Sequence, residues 1–121
     1  LDKRAIEYLY PEGSNFVFMD VENYEQYTLD GELIGDAMPY IKPNSQIVGL
    51  FSDQKMVSFE LPKVVDMVVT DTPPGIKDAT ATNQLKDATL ETGLKTRVPP
   101  FINMGETVRV STETGEYISR V

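Results

Sequence analysis

The stretch from Lys86 to Gly105, KDATLETGLKTRVPPFINMG, decides how the rest of the chain is read. It holds two short apolar-bearing segments. Thr92-Gly93 permits a sharp reversal between them. Val98-Pro99-Pro100 forbids a helix across the middle, because proline has no N–H and drives the residue before it out of the α region. The stretch therefore reads as β framework, with strands expected over 88–92 and 94–98.

The same grammar extends in both directions. Downstream, 107–112 and 116–121 form an expected hairpin through Glu113-Thr114-Gly115, with Val108 and Val110 on one face. Upstream, 64–69 is an expected strand that runs into Thr72-Pro73-Pro74-Gly75, a loop because two prolines supply no ladder donors. Residues 76–85 are polar and threonine-rich and continue that loop. Further back, 5–10 and 16–19 are β-prone around a turn at Pro11-Glu12-Gly13-Ser14. A strand or ordered loop at 24–29 ends at Asp30-Gly31. Leu33, Ile34, Ala37 and Met38 then recur at i, i+1, i+4 and i+5, predicting a short helix over 32–38 that Pro39 stops. Residues 46–51 and 56–61 flank the turn Ser52-Asp53-Gln54; the alternation of Val57, Phe59 and Leu61 with Ser58 and Glu60 fits a strand with one buried face. Leu61-Pro62 closes a first unit and the next strand follows at once, so two packed modules, 1–62 and 63–121, are expected. Many short strands with one helix at most predict an all-β chain of two small barrels, although periodicity equally allows a sandwich. No sequence repeat links the halves.

Composition narrows the chemistry. The 121 residues suit one ordinary domain or two very small ones, and 40% hydrophobic content suffices for a core in either case. There is no cysteine and no histidine, which removes the thiolate nucleophile, the disulfide framework and the commonest general base and metal ligands. No apolar run approaches the roughly 20 residues that span a bilayer, and Leu1-Asp2-Lys3-Arg4 has no signal-peptide core, so a cytoplasmic protein away from membranes is expected. A start without Met, in mid-pattern, suggests a fragment. The net charge of −8 is uneven: residues 1–62 carry 11 Asp and Glu against 4 Lys and Arg, and residues 63–121 carry 8 against 7. An acidic first half serves solubility, or avoids RNA and meets basic proteins; the second half has cations for local use.

Few residues carry a case for catalysis. Asp20 and Glu22, on one face of a strand, would be the pair for glycosidase-like acid and base work, but no cluster of sugar-stacking aromatics marks a cleft. Asp66, Asp71 and Asp78 are too irregularly spaced for a calcium loop, and no glycine-rich phosphate cradle precedes a helix, so neither metal nor cofactor is expected. Tyr8, Tyr10, Phe16 and Phe18 form either a base-stacking platform or simply a core. Lys86, Arg97, Arg109 and Arg120 are candidate contacts to RNA backbone, or partners of neighbouring carboxylates.

Lys86-x-Ala88, then Gly93, Val98-Pro99, Ile102 and Gly105 closely resemble the signature of bacterial elongation factor P. Thr96 stands where that family usually has an aliphatic residue, and Pro100 replaces its usual leucine. Tyr8-Leu9-Tyr10, Phe18-Met19-Asp20, Asn23-Tyr24-Glu25-Gln26-Tyr27, Phe59-Glu60-Leu61-Pro62 and Gly115-Glu116-Tyr117-Ile118-Ser119-Arg120 extend the resemblance over nearly the whole chain. It implies that the barrels are the central and C-terminal five-stranded OB-fold domains of such a factor. The family's N-terminal domain, whose basic loop approaches the peptidyl-transferase centre, has no counterpart in these residues.

The resemblance further implies a monomer that mimics part of a tRNA. It would bind the ribosome between the peptidyl and exit tRNA sites and help stalled peptidyl-tRNA form bonds at consecutive prolines, without being an enzyme or using a cofactor. In the family, the segment corresponding to 75–82 carries Gly-Asp-Thr toward messenger RNA in the exit site; here those positions read Asp78, Ala79 and Thr80, so only the threonine matches. Lys77, Asp78, Ala79 and Thr80 are the expected contact residues of that loop. For Lys86 the signature leaves two readings open, fixing the loop or touching the ribosome. The elongation-factor-P-like paralogue with other targets, and a general OB-fold binding module for nucleic acid or protein, are the alternatives.

Overall fold

A computed structural model describes residues 1–76 and 84–121. The chain divides into two compact units, Leu1–Pro62 and Lys63–Val121. Both are built the same way, from one curled five-stranded antiparallel sheet of OB type.

In the first unit β1 (Asp2–Glu12) is the central strand, pairing with β2 (Asn15–Asp20) on one side and β4 (Gln46–Ser52) on the other. β3 (Gln26–Leu29) and β5 (Lys55–Glu60) complete the order β3-β2-β1-β4-β5. In the second, β6 (Val64–Asp71) is central between β7 (Lys86–Leu90) and β9 (Thr107–Ser111), with β8 (Lys95–Val98) and β10 (Tyr117–Arg120) outside. The two units share a topology without sharing a sequence pattern. Strand lengths, turn positions and the alternation of buried side chains specify pairing, and many sequences satisfy them.

Irregularities supply the curl. The register of β1 against β2 shifts between Tyr8 and Tyr10, and that of β6 against β7 between Val69 and Asp71. An extra residue on one strand bends it and increases its twist, which is how a short sheet wraps toward a barrel. Inside the first curl sit Ile6, Phe18, Leu29, Ile34 and Phe51, all at most 5% exposed. The second encloses Met67, Val69, Leu90, Val98, Val108 and Val110. Each unit thus buries its own apolar set, the term that dominates folding.

Three expectations are corrected. β1 does not stop before Pro11: Pro11 pairs with Phe16, and only Gly13-Ser14 turn, Gly13 having the left-handed φ of +62°. A proline is tolerated in a strand where its missing N–H is not needed by the ladder. The predicted helix splits into α1 (Gly31–Ile34), capped by Asp30 accepting from the Glu32 N–H at 2.9 Å, and a 3₁₀ segment, Gly35–Tyr40, that contains Pro39. The proline ends regular α geometry, yet the tighter helix continues one residue past it. Finally, Asp20 and Glu22 do not share a strand face. β2 ends at Asp20, a residue 2% exposed whose carboxylate accepts the N–H of Glu22 at 2.8 Å. It is a turn cap, further held by Arg4, whose guanidinium lies 3.7 Å from it and 4.7 Å above the Phe51 ring.

Two proline pairs shape the second unit. Pro73-Pro74 stands one residue beyond Asp71, the last paired residue of β6, and Pro99-Pro100 directly follows β8. Pro99 is fully buried and accepts from the Ile102 N–H at 3.2 Å, so the chain turns tightly after β8.

Candidate functional site

Expected contacts Lys77, Asp78, Ala79 and Thr80 lie outside the described residues. The structure does define the two ends from which that segment is held. On the outgoing side, Gly75 donates its N–H to Asn103 Oδ1 at 2.7 Å, and Ile76 donates to the Pro100 carbonyl at 2.9 Å. Gly75 approaches so closely that a Cβ there would sit 2.8 Å from the Phe101 carbonyl oxygen. On the returning side, Thr72 Oγ1 donates to the Asp87 carbonyl at 2.8 Å, and Lys86 Nζ donates to the carbonyls of Pro73 and, at 2.6 Å, Ile102.

These anchors join a charged network. Glu106 accepts the Asn103 N–H at 2.6 Å and pairs with Arg120 at 2.7 Å, and the Arg120 guanidinium lies 4.8 Å above the Phe101 ring. Burial pushes the Glu106 carboxyl up, but the Asn103 N–H, Arg120 and the Lys86 charge outweigh it, so the group lies below the usual carboxylate range. Partial burial lowers the Lys86 ammonium, opposed by Glu106. Lys86 and Arg120 are therefore brought into one cluster around Glu106.

Arg109 and Arg97 lie elsewhere. Arg109 faces Asp66 across the β6–β9 ladder and grips it with two hydrogen bonds, 2.7 and 3.0 Å. Arg97 donates to the Leu85 carbonyl at 3.0 Å and stands 3.8 Å from Asp87, with a side chain 62% exposed. Two residues away on the same strand is Lys95, which sequence reasoning did not select; its ammonium has no ion-pair partner among the described residues. The period of two along β8 was the signal that pairs Lys95 with Arg97 on one outward face.

That face borders a groove of about 720 Å3 between β8 and β10, lined by Leu85, Lys95, Arg97, Pro99, Tyr117 and Ile118. OB-folds take oligonucleotides on the second and third strands and the loops that follow the first and fourth. In this unit those are β7, β8, the 72–85 connection and the 112–116 turn. Thr96, the departure from the aliphatic residue of the resembled signature, closes the groove's floor: its hydroxyl donates to the Gly115 carbonyl at 2.7 Å and ties β8 to the turn before β10.

The aromatic set of the first unit resolves as core. Phe18 is fully buried, Tyr8 is 6% exposed, and their rings sit 5.3 Å apart; Phe16 packs edge-on to Tyr8, and only Tyr10 is exposed. Among the described residues no three acidic side chains are placed to hold a metal ion, and no helix is long and apolar enough to cross a membrane.

Comparison with known proteins matches each unit to a separate family model. Residues 1–59 fit "Elongation factor P (EF-P) OB domain" and residues 65–120 fit "Elongation factor P, C-terminal". Elongation factor P of Carboxydothermus hydrogenoformans is 46% identical over 121 residues, covering all of this chain and 65% of the relative. That of Acidobacterium capsulatum is 48% identical over 120 residues, 99% of this chain and 64% of the relative. Elongation factor P 1 of Geobacter sulfurreducens is 48% identical over 115 residues, 94% of this chain and 61% of the relative. The chain thus spans slightly less than two thirds of the length of the relatives it matches.

Proposed function

Since the chain belongs to the elongation factor P family, matched along both of its units, we propose that it is the ribosome-anchoring body of a translation elongation factor. In this reading the whole protein is a cytoplasmic monomer that mimics part of a tRNA. It binds between the peptidyl and exit tRNA sites and promotes peptide-bond formation where consecutive prolines stall synthesis. It acts by positioning rather than by acid, base or nucleophile. Holding a bound reactant in its reactive geometry lowers a barrier by removing the entropy cost of finding it, and a chain without histidine or cysteine is suited to that role.

The observation that carries the reading is the correspondence between the family signature and the fold. Ala88, Val98 and Ile102 lie in the core of the second unit, Lys86 donates to the Ile102 carbonyl, and Gly105 takes a left-handed φ of +89°. We assign RNA contact to Lys77, to Thr80 and to the backbone N–H groups of residues 78–80, with Arg97 beside the β8–β10 groove as a further backbone contact. The carboxylate of Asp78 disfavours close approach to a phosphate, so base readout at that position is weaker than in relatives with Gly-Asp-Thr. Arg109 and Arg120 make ribosome contact only by sharing or exchanging their carboxylate partners. Such exchange is inexpensive because partly exposed ion pairs contribute about 0–1 kcal/mol.

Reconstituted translation of a reporter with consecutive prolines tests this. The expected result is that the full protein relieves the stall while residues 1–121 alone do not. If neither relieves it while a control factor does, the assignment is wrong in function.

A further inference from the structure

We propose that Lys86 is a positioning residue whose ammonium clamps the neck of the 77–83 segment, fixing where that segment leaves the barrel without itself touching RNA. The backbone cannot close that neck by itself. The β6–β7 ladder carries Val69↔Leu90 and Asp71↔Thr89 and then ends, because the next residues on the outgoing side are Thr72, Pro73 and Pro74. Prolines have no N–H to offer. On the returning side Lys86 and Asp87 pair with Val98 and Arg97 of β8.

Side chains therefore brace the gap. Thr72 Oγ1 crosses it to the Asp87 carbonyl, and Lys86 Nζ crosses it in the other direction to the Pro73 carbonyl. The same nitrogen also reaches the Ile102 carbonyl. It thereby ties the neck to the 99–103 turn, on which Gly75 and Ile76 are docked. Two carbonyls converging on one atom require a donor with several N–H bonds on a single nitrogen; the lysine ammonium carries three on a compact, rotatable head, whereas those of a guanidinium are fixed in one plane and on a larger group. Partial burial pushes the Lys86 ammonium below its ordinary value, and Glu106 nearby opposes that shift. With two of its three donors engaged on the backbone, Lys86 is spent as a phosphate ligand.

The functional part of this inference rests on the ribosome reading above; the structural part does not, and the test separates them. Amide hydrogen exchange is measured on the full protein and on Lys86→Met and Lys86→Arg. Ribosome affinity is followed in parallel as a function of salt. The clamp predicts exchange at Gly75 and Ile76 at least about tenfold faster in both variants, while Met67 and Val108 in the β6–β9 ladder stay protected and report an intact fold. Affinity falls, yet the slope of log K against log salt is unchanged, because no phosphate contact has been removed.

Unchanged exchange at Gly75 and Ile76 in Lys86→Met overturns the proposal. So does a uniform rise across the whole unit. A salt slope reduced by about one in Lys86→Met and restored in Lys86→Arg also overturns it, since that is the mark of a phosphate contact. If the wild-type protein does not bind ribosomes at all, the proposed function falls and the exchange measurement still decides the clamp.

Discussion

At Gly75 a single methyl group would meet both Asn103 side-chain atoms and the Phe101 carbonyl oxygen within 2.8 Å. Backbone cannot move aside as the end of a flexible side chain can, so Gly75→Ala is expected to lower stability by about 1–3 kcal/mol, seen as a lower denaturant midpoint with an unchanged m-value. Glu106 gives a prediction in pH. Its carboxyl in the folded chain lies below the ordinary glutamate value of about 4.3, so its contribution is fully present above that value. The contribution is lost as pH falls through the lower folded-state value. Glu106→Gln should therefore be less stable than wild type near neutrality, and thermal melts of the two should converge as pH drops below about 4. Neither expectation was visible in the sequence. The carboxylate of Glu106 and the ammonium of Lys86 act on backbone groups or side chains that the fold brings to them, the latter from 13 and 16 residues away. Such pairings leave no periodicity.

Elements were far more legible. Every strand expected from alternation and turn chemistry is present, and on strands such as β9 the buried face, Val108 and Val110, is written at a period of two. What alternation could not give was how turns are closed. The β4–β5 hairpin turns through Asp53 and Gln54, with φ of +51° and +65°, so both central residues are left-handed as a type I′ turn requires. Gln54 has no special tolerance for that region, where an ordinary residue is strained by about 1–2 kcal/mol. Glycine avoids the strain but loses more freedom on folding, by about 0.5–1 kcal/mol. Gln54→Gly should therefore stabilise the first unit by roughly half to one kcal/mol, read as a raised midpoint in thermal unfolding. Of the candidate site, alternation marks Arg97 and could have marked Lys95. Arg109 was named from its charge alone, and its partner Asp66 becomes apparent only once β6 and β9 are in register.

For the molecule as a whole, one strand order is used twice, with a separate apolar core in each unit and the acidic excess concentrated in the first. The second unit obtains its shape at two places from proline pairs: Pro73-Pro74 stops β6 where the neck must open, and Pro99-Pro100 turns the chain after β8. On the proposed function, this architecture makes the protein a client of its own activity. The ribosome that synthesises it must join proline to proline at 73–74 and again at 99–100 before a functional copy exists. Cells emptied of the factor would then restart its production slowly, and each new copy would hasten the next, giving supply a built-in memory of earlier abundance. Ribosome positions mapped during synthesis of this chain in a factor-free translation mixture should pile up at those two pairs and clear when purified full protein is added. Even occupancy along the message in both mixtures would show that its manufacture is independent of its own stock.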